Sequence, residues 1–415
     1  MDATPPRSQR AIDWIAEIDR IVARSERQWV DFRRYLHQHP ELSDQEFATT
    51  DELTRRFESL GLPVHAMDER RGLLCDLVSE SPDPLPRLAL RGDIDALPIG
   101  DEKAVDYRSC RVGVMHACGH DVHAAIVFAA MSILRQLQQA GKLPWPIAVR
   151  ALLQPSEEVA SGARYMIHRH ALRDAAAVLA LHVDPTRRLG CIGLRSGTLT
   201  ANCDGFRVVC HGSGGHGARP HLTRDPIDAA TRWVQSAYRR IDRVSDPADT
   251  VVISVGRISG GHSFNVIPDT AELEGTLRTL TPASRSRVLE AIEDICEGVG
   301  RETGCRIDFQ LQMSAPAVIN DHAMTDLLHR ATVAVVGAEA IEAIDVPSMG
   351  SEDFSYYLEH VPGAMMRLGV AGDQVGHAPL HTALFDVDER AIAIGAKVFA
   401  AAAVLYFAPD QGAHD

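Results

Sequence analysis

The nine residues MHACGHDVH, Met115 to His123, hold one cysteine, three histidines and an aspartate. They follow a glycine-containing loop and lead into an apolar run, Ala124 to about Gln138, whose spacing predicts a buried helix. No hydrophobic core calls for that composition. The stretch therefore reads as the anchor of a metal site, with later segments of the chain converging on it.

Working outward, the flanking segments read as strands that stop at chemically useful residues. Leu73–Val78 and Arg87–Arg91 are predicted strands, and RLALRGDIDALP ends the second with Asp93 and Asp95 just beyond it. Ile147–Leu153 runs into QPSEEVASGARYMI, and Ala177–Leu181 ends at His182 in ALHVDP. Alternation of such strands with helices predicts an α/β fold with a mixed, mostly parallel sheet flanked by helices. In sheets of that kind, chemistry collects at the carboxyl ends of the strands.

Before the strands, apolar residues recur at helical spacing through Ile12, Ile15, Ile18 and Val22, then Trp29, Phe32 and Leu36. HQHPELS, His37 to Ser43, interrupts them. Ser43 with Glu46 three residues on reads as a capping box for a second helix that stops at Gly61. From about Asn202 to Met313 the order becomes β-α-β-β-α-β, the split pattern of a ferredoxin-like α+β unit. The expected organisation is thus 1–200 and 315–415 as two parts of one domain, with 201–314 inserted. The closing run Ala391–Ala408 is mostly alanine and contains Gly395 and Lys397, which favours a core helix over a membrane span.

Composition narrows the function classes. A length of 415 residues accommodates two domains, and 45% hydrophobic with 24% charged residues is ordinary for a globular chain. A formal net charge of −14 argues against a general nucleic-acid binder and against anionic membrane surfaces. The N-terminal MDATPPRSQRAIDWIAEIDR lacks the apolar core of a signal peptide. The eight cysteines are scattered with no CxxC pair, which predicts reduced thiols and a cytoplasmic location.

Cys118, His120, Glu158, His182 and His381 make a credible ligand set, because thiolate, imidazole and carboxylate together suit zinc or a related first-row ion. Five ligands exceed one tetrahedral site, so two divalent ions fit better, with the Cys118 thiolate as bridge. Glu157, beside Glu158, reads as the general base for a metal-bridging water and then as proton donor to the leaving amine. His116 and His123 are left with packing or supporting roles. In GSGGHGARPH, Gly212 to His221, the local residues allow either a glycine-rich turn or a histidine, His216, aimed at a developing oxyanion. Asn265 in FNVIPD and Arg278 in GTLR are candidates for a substrate carboxylate, although on spacing alone Arg278 reads as a surface strand residue.

RGDIDALP, MHACGHDVHAA, QPSEE, ALHV, GSGGHGARPH, FNVIPD, GTLR, SMGSEDFSYY and HTALFDVDE run in that order from Arg91 to Glu389. As an ordered set they resemble the metal-dependent amidohydrolases that include aminoacylases, hippurate hydrolase, auxin-conjugate hydrolases and related carboxypeptidases. The resemblance implies a zinc-exopeptidase-like catalytic domain interrupted by a lid, with the same five ligands around two ions. Zn2+ is favoured there, with Mn2+, Co2+ or Ni2+ as alternatives. It implies Glu157 as acid and base, and His216 as oxyanion donor, often across a homodimer formed by the lids. It also puts Asn265 and Arg278 at the substrate's carboxylate end. The implied reaction is hydrolysis of the amide bond of an N-acyl amino acid. Asp184, His262 and Ser351 depart from the residues usual at their positions. The rival readings are a carboxypeptidase or dipeptidase, an inactive metal- or ligand-binding homologue, and a thiol enzyme centred on Cys118.

Overall fold

The structure, a computed structural model, describes residues 7–247 and 249–409; the first six residues of the polar N-terminus lie outside them. The chain divides into two compact units. One takes the described residues up to Gly197, Ile319–Asp345 and the described residues from Tyr356 onward; the other takes Thr198–Val318 and Val346–Ser355.

The first unit is built on an eight-stranded sheet. Its order is Val64–Ala66, Leu73–Val78, Ala148–Gln154, Arg87–Asp93, Ala175–Arg188, Gly363–Ala371, Ile192–Leu194 and Ile341–Ala343. The central strands Ala148–Gln154, Arg87–Asp93, Ala175–Arg188 and Gly363–Ala371 pair in parallel, while Leu73–Val78 joins Ala148–Gln154 antiparallel. This is the mixed, mostly parallel sheet expected from the strand–helix alternation. Continuous burial along Ala148–Gln154 explains its unbroken apolar character, since both faces of such a strand are covered.

The helix after the cysteine–histidine stretch starts earlier than its apolar run: it spans His120–Gln139, and His120 is its first residue. Gly119 precedes it at φ +86, and a Cβ there would lie 2.4 Å from Val183 Cγ2, so glycine alone fits between Cys118 and His120. The helix is apolar nearly all round and is buried against Arg7–Gln38 and Arg390–Tyr406. Arg390–Tyr406 is the expected core helix. Among the described residues, no helix is long and apolar enough to cross a membrane.

The capping box is a correction. Glu46 does stand at the N-cap of the helix Phe47–Ser59, but its side chain makes no capping bond. The Thr49 N–H is instead taken by Glu41 Oε2 at 2.8 Å. Ser43 and Glu46 are drawn away to partners more than fifty residues distant, described below.

The second unit has a four-stranded antiparallel sheet ordered Val251–Gly260, Thr270–Thr279, Asn202–His211 and Arg306–Ala315. With helices Pro226–Val244 and Pro282–Thr303 it has the ferredoxin-like order. Both helices open with proline at the first turn and a side-chain cap, Asp225 accepting from Ile227 and Asp228, Thr281 from Ser284. Phe206, Val208, Trp233, Leu273 and Ile292 form its own core.

The first unit also holds a buried charge network around Arg33. Arg33, fully buried, gives Nε to Asp121 Oδ2 at 2.7 Å, while its two NH2-type nitrogens reach Glu389 at 3.3 Å and Asp386 at 3.2 Å. His37 Nδ1 also reaches Asp121 Oδ2, at 2.7 Å. Burial alone would raise the Asp121 pKa, but Arg33 and His37 hold it well below the usual carboxylate range. Its contribution to stability is therefore complete above the unfolded carboxylate's pKa and is lost as pH falls through the lower folded value. Arg33→Ala would strand these carboxylates without a counter-charge. It should cost about 3–5 kcal/mol in urea unfolding at neutral pH; a loss below about 1 kcal/mol, the range of an exposed pair, would contradict the network's role.

Candidate metal centre

Four of the expected donors stand at element ends or in loops, whereas the strand expected to stop at His182 continues six residues beyond it. Cys118 precedes the helix His120–Gln139, Glu157 and Glu158 follow the strand Ala148–Gln154, and His182 lies within Ala175–Arg188. His381 sits in the loop after Gly363–Ala371, at φ +61, with its N–H donated to Ala117 O at 2.8 Å. A non-glycine residue at that φ is held there by its surroundings, a pattern that clusters at functional sites.

All five expected ligands come together in this one unit. Cys118 Sγ lies 3.5 Å from His182 Nε2 and 3.3 Å from His381 Nε2. Glu158 Oε1 lies 3.5 Å from His381 Nε2 and 3.8 Å from His120 Nε2. Cys118 is common to two triads of donor atoms, Cys118–His120–His182 and Cys118–Glu158–His381, and a further group joins His120 and Glu158 with Glu157. Glu157 stands beside them, its Oε2 4.0 Å from His120 Nε2.

Fit to cations can be judged from the hydrogen bonds. Carbonyl oxygens only accept, so the bonds from His120 Nδ1 to Asp95 O (2.9 Å) and from His182 Nδ1 to Val183 O (2.7 Å) put a proton on each Nδ1. That leaves each Nε2 to offer a lone pair toward the cluster, as metal-ligating histidines do. His120 Nε2 and Glu158 Oε1 are buried with no hydrogen-bond partner. Such groups cost about 1–3 kcal/mol each when left unsatisfied. A cation among them removes that cost, and the thiolate–imidazole–carboxylate set suits a first-row divalent ion. The residues therefore fit the metals that the sequence implies.

Electrostatics agrees with that fit. Burial pushes the Cys118 thiol up, so it is the charge of a cation that would hold it as thiolate. Burial also opposes a charge on His120, but Asp93 and Asp95 outweigh it and raise its pKa well above normal. The proton so held on Nε2 is the one a cation displaces on binding. Burial, with Arg367 and His123 nearby, keeps His182 neutral. Burial raises Glu158 as well, against the pull of His120 and His381.

Asp95 is the hub of the surrounding shell. Its carbonyl accepts from the Nδ1 atoms of His116 and His120, and its Oδ2 accepts from Ser43 Oγ at 2.7 Å and from the Glu158 N–H at 3.1 Å. Asp93 takes His123 Nδ1 at 2.7 Å, and His123 Nε2 accepts the Val183 N–H at 3.0 Å. Both His123 nitrogens are thereby committed, so it supports the donors rather than joining them. Asp184 caps its own turn through Thr186 and Arg187. The links through Ser43, His37 and Arg33 are the part that the sequence reading missed. For Ser43 and His37 the local signal is a run of polar residues, HQHPELS, at a helix break; for Arg33 there is none.

The second unit brings His216 and Asn265 together but ties Arg278 elsewhere. Gly215–His216 pairs with Val266–Ile267, and Asn265 O accepts the Gly217 N–H at 2.9 Å. His216 Nδ1 accepts the Ala218 N–H at 3.0 Å, which leaves the ring proton on exposed Nε2, free to donate. Arg278 donates to Met349 O at 2.7 Å.

The chain is similar to known proteins over most of its length. The sequence profile of Peptidase family M20/M25/M40 matches residues 89–404. A probable hydrolase of Synechocystis sp., sll0100, is 38% identical over 91% of this chain and 95% of its own length. An N-acetyl-L-cysteine deacetylase of Bacillus subtilis is 36% identical over 88% of this chain and 85% of its own. The crystal structure of Bacillus subtilis YXEP, described as a dinuclear metal binding peptidase of the M20 family, superposes with a TM-score of 0.79 at 31% identity, covering 92% of this chain and 98% of that one. With matches of this extent around a donor set of this chemistry, the chain belongs to peptidase family M20/M25/M40 and is a metal-dependent hydrolase.

Proposed function

We propose that this chain removes the acyl group from N-acyl amino acids by hydrolysing their amide bond, with Glu157 moving the proton. The observation that carries the reading is the pair of donor triads sharing Cys118, with the Glu157 carboxylate at their edge. In this reading Cys118, His120, Glu158, His182 and His381 hold two divalent ions. Zinc is the ion a thiolate favours, and manganese, cobalt and nickel are the alternatives. When bound, such a pair supplies Lewis acidity to a substrate carbonyl and acidity to a water.

Glu157 then takes a proton from the attacking water and hands it to the amine as the C–N bond breaks. One amide and one water become a carboxylic acid and an amine, and the proton balance closes through this single side chain. His216 is assigned to donate from Nε2 to the carbonyl oxygen as it gains charge. Its tautomer supports that, because Nδ1 is occupied as an acceptor. Asn265 and Arg278 are assigned to the substrate's carboxylate end on their sequence context. For Arg278 this requires one guanidinium edge to remain available while the other holds Met349 O.

The deacetylase relative supports an N-acyl amino acid, whereas the family description, which names peptidases, favours a short peptide as the second reading. A panel of N-acetyl, N-benzoyl and long-chain acyl amino acids, set against dipeptides and measured on the metal-reconstituted enzyme, separates them. The proposal expects the highest kcat/KM on an N-acyl amino acid; turnover confined to dipeptides would replace it with the peptidase reading. On the best substrate, Glu157→Gln should lower kcat by about 10²–10⁴-fold while bound metal, read by elemental analysis, stays at the wild-type level. Near-normal turnover in that variant would remove Glu157 from the mechanism.

A further inference from the structure

We infer that Glu46 is a positioning residue for the Glu157 carboxylate, acting through the backbone of Ser156. The inference rests on the role proposed for Glu157. Glu46 is fully buried, although carboxylates are rarely so, and it is not spent on capping its own helix. Its Oε1 instead accepts the Ser156 N–H at 2.7 Å and lies 3.2 Å from Ser156 Oγ, across 110 residues of chain.

Ser156 is the residue immediately before Glu157, and its φ is +55. A side chain other than glycine takes that conformation only when its surroundings hold it. Ser156 is held on every polar atom. Its hydroxyl accepts from the Asp44 N–H at 2.9 Å and lies 3.0 Å from Asp44 Oδ1. Its carbonyl accepts from Gly162 N at 3.1 Å and Ser161 N at 3.3 Å. The turn is closed tightly enough that a Cβ on Gly162 would stand 1.6 Å from Pro155 O.

The next fixed point along the chain is the Glu158 N–H, held by Asp95 Oδ2 at 3.1 Å. Two buried carboxylates thus grip the backbone on either side of Glu157, one at residue 156 and one at residue 158. Ser43 Oγ braces Asp95 at 2.7 Å. The segment Ser43–Glu46 therefore serves both grips, which explains why neither end of its apparent capping box caps. Glu46 Oε1 accepts the N–H whether or not the carboxyl is protonated, so an amide in its place keeps the grip and a methyl loses it.

The test is steady-state kinetics and metal analysis of the reconstituted holoenzyme on its best substrate. The variants are Glu46→Gln, Glu46→Ala, Ser156→Gly and the double variant Glu46→Ala/Ser156→Gly. Glu46→Ala should lower kcat roughly 10- to 100-fold, as a small misplacement of a reacting group does, with KM and metal content close to wild type. Glu46→Gln should retain most activity. Glycine at 156 takes the positive φ without help, so the double variant should recover part of the lost kcat. The inference is overturned if Glu46→Ala keeps wild-type kcat, if Glu46→Gln loses as much as Glu46→Ala, or if the loss tracks missing metal. Should Glu46→Ala not fold, Glu46→Asp withdraws the oxygen by one methylene and must lower kcat at unchanged KM, or the inference falls. Glu157→Gln measured alongside separates the two ideas: if it retains turnover, the reading of Glu157 fails whatever Glu46 does.

Discussion

Everything in the larger unit is subordinate to one electrostatic constraint: a thiol, three imidazole nitrogens and a carboxylate are crowded together as potential ligand atoms. Neighbouring pairs among them stand 3.3 Å to 3.8 Å apart. Two of those atoms are buried without a hydrogen bond. Such a cluster is unfavourable by itself, since each buried lone pair has lost its water. It persists because the fold enforces it, and it becomes favourable once positive charge is supplied. Family membership and the chemistry of the donors agree on divalent metal as that charge.

The enforcement is layered. Parallel strands bring the carboxyl ends of Arg87–Asp93, Ala148–Gln154 and Ala175–Arg188 to one edge. Asp95 and Asp93 then orient His120 and His123 through Nδ1, and His123 steadies Val183 beside His182. Under these, Asp121 is tied by Arg33 and His37 to the first long helix, and Arg33 extends the tie to Asp386 and Glu389 near the last one. The start of the last helix and the residue next to His120 are thus joined through a single side chain of the first helix, Arg33. A buried network of this kind adds little net stability over an apolar core, but it tolerates the loss of no member. That property suits a shell whose task is to fix positions.

The sequence made the donors legible for a local reason. Cys118, His120 and Glu158 stand where an apolar strand or helix begins or has just stopped, and His182 interrupts an apolar strand, so each breaks a pattern that a core would continue. The alternation of strands with helices likewise disclosed the sheet, and the order β-α-β-β-α-β disclosed the smaller ferredoxin-like unit. What stayed hidden depends on contacts remote in sequence. Ser43 and Glu46 have the spacing of a capping box, and only the fold reveals that Asp95 and Ser156 compete for them and win. Arg33 occupies an ordinary helical position, and nothing local marks it as buried among carboxylates. The left-handed conformations of Ser156 and His381 are equally silent in the sequence, because glycine is absent at both.

The shared thiolate is the central claim, and it is tested most directly by counting metal. Wild-type protein and Cys118→Ala, reconstituted with excess zinc and freed of unbound ion, are compared by elemental analysis per chain, with folding checked by circular dichroism. The account predicts about two ions per wild-type chain and a folded variant that has lost most of both, because each triad is missing the same donor. A folded Cys118→Ala protein that still binds the wild-type amount of metal would contradict it.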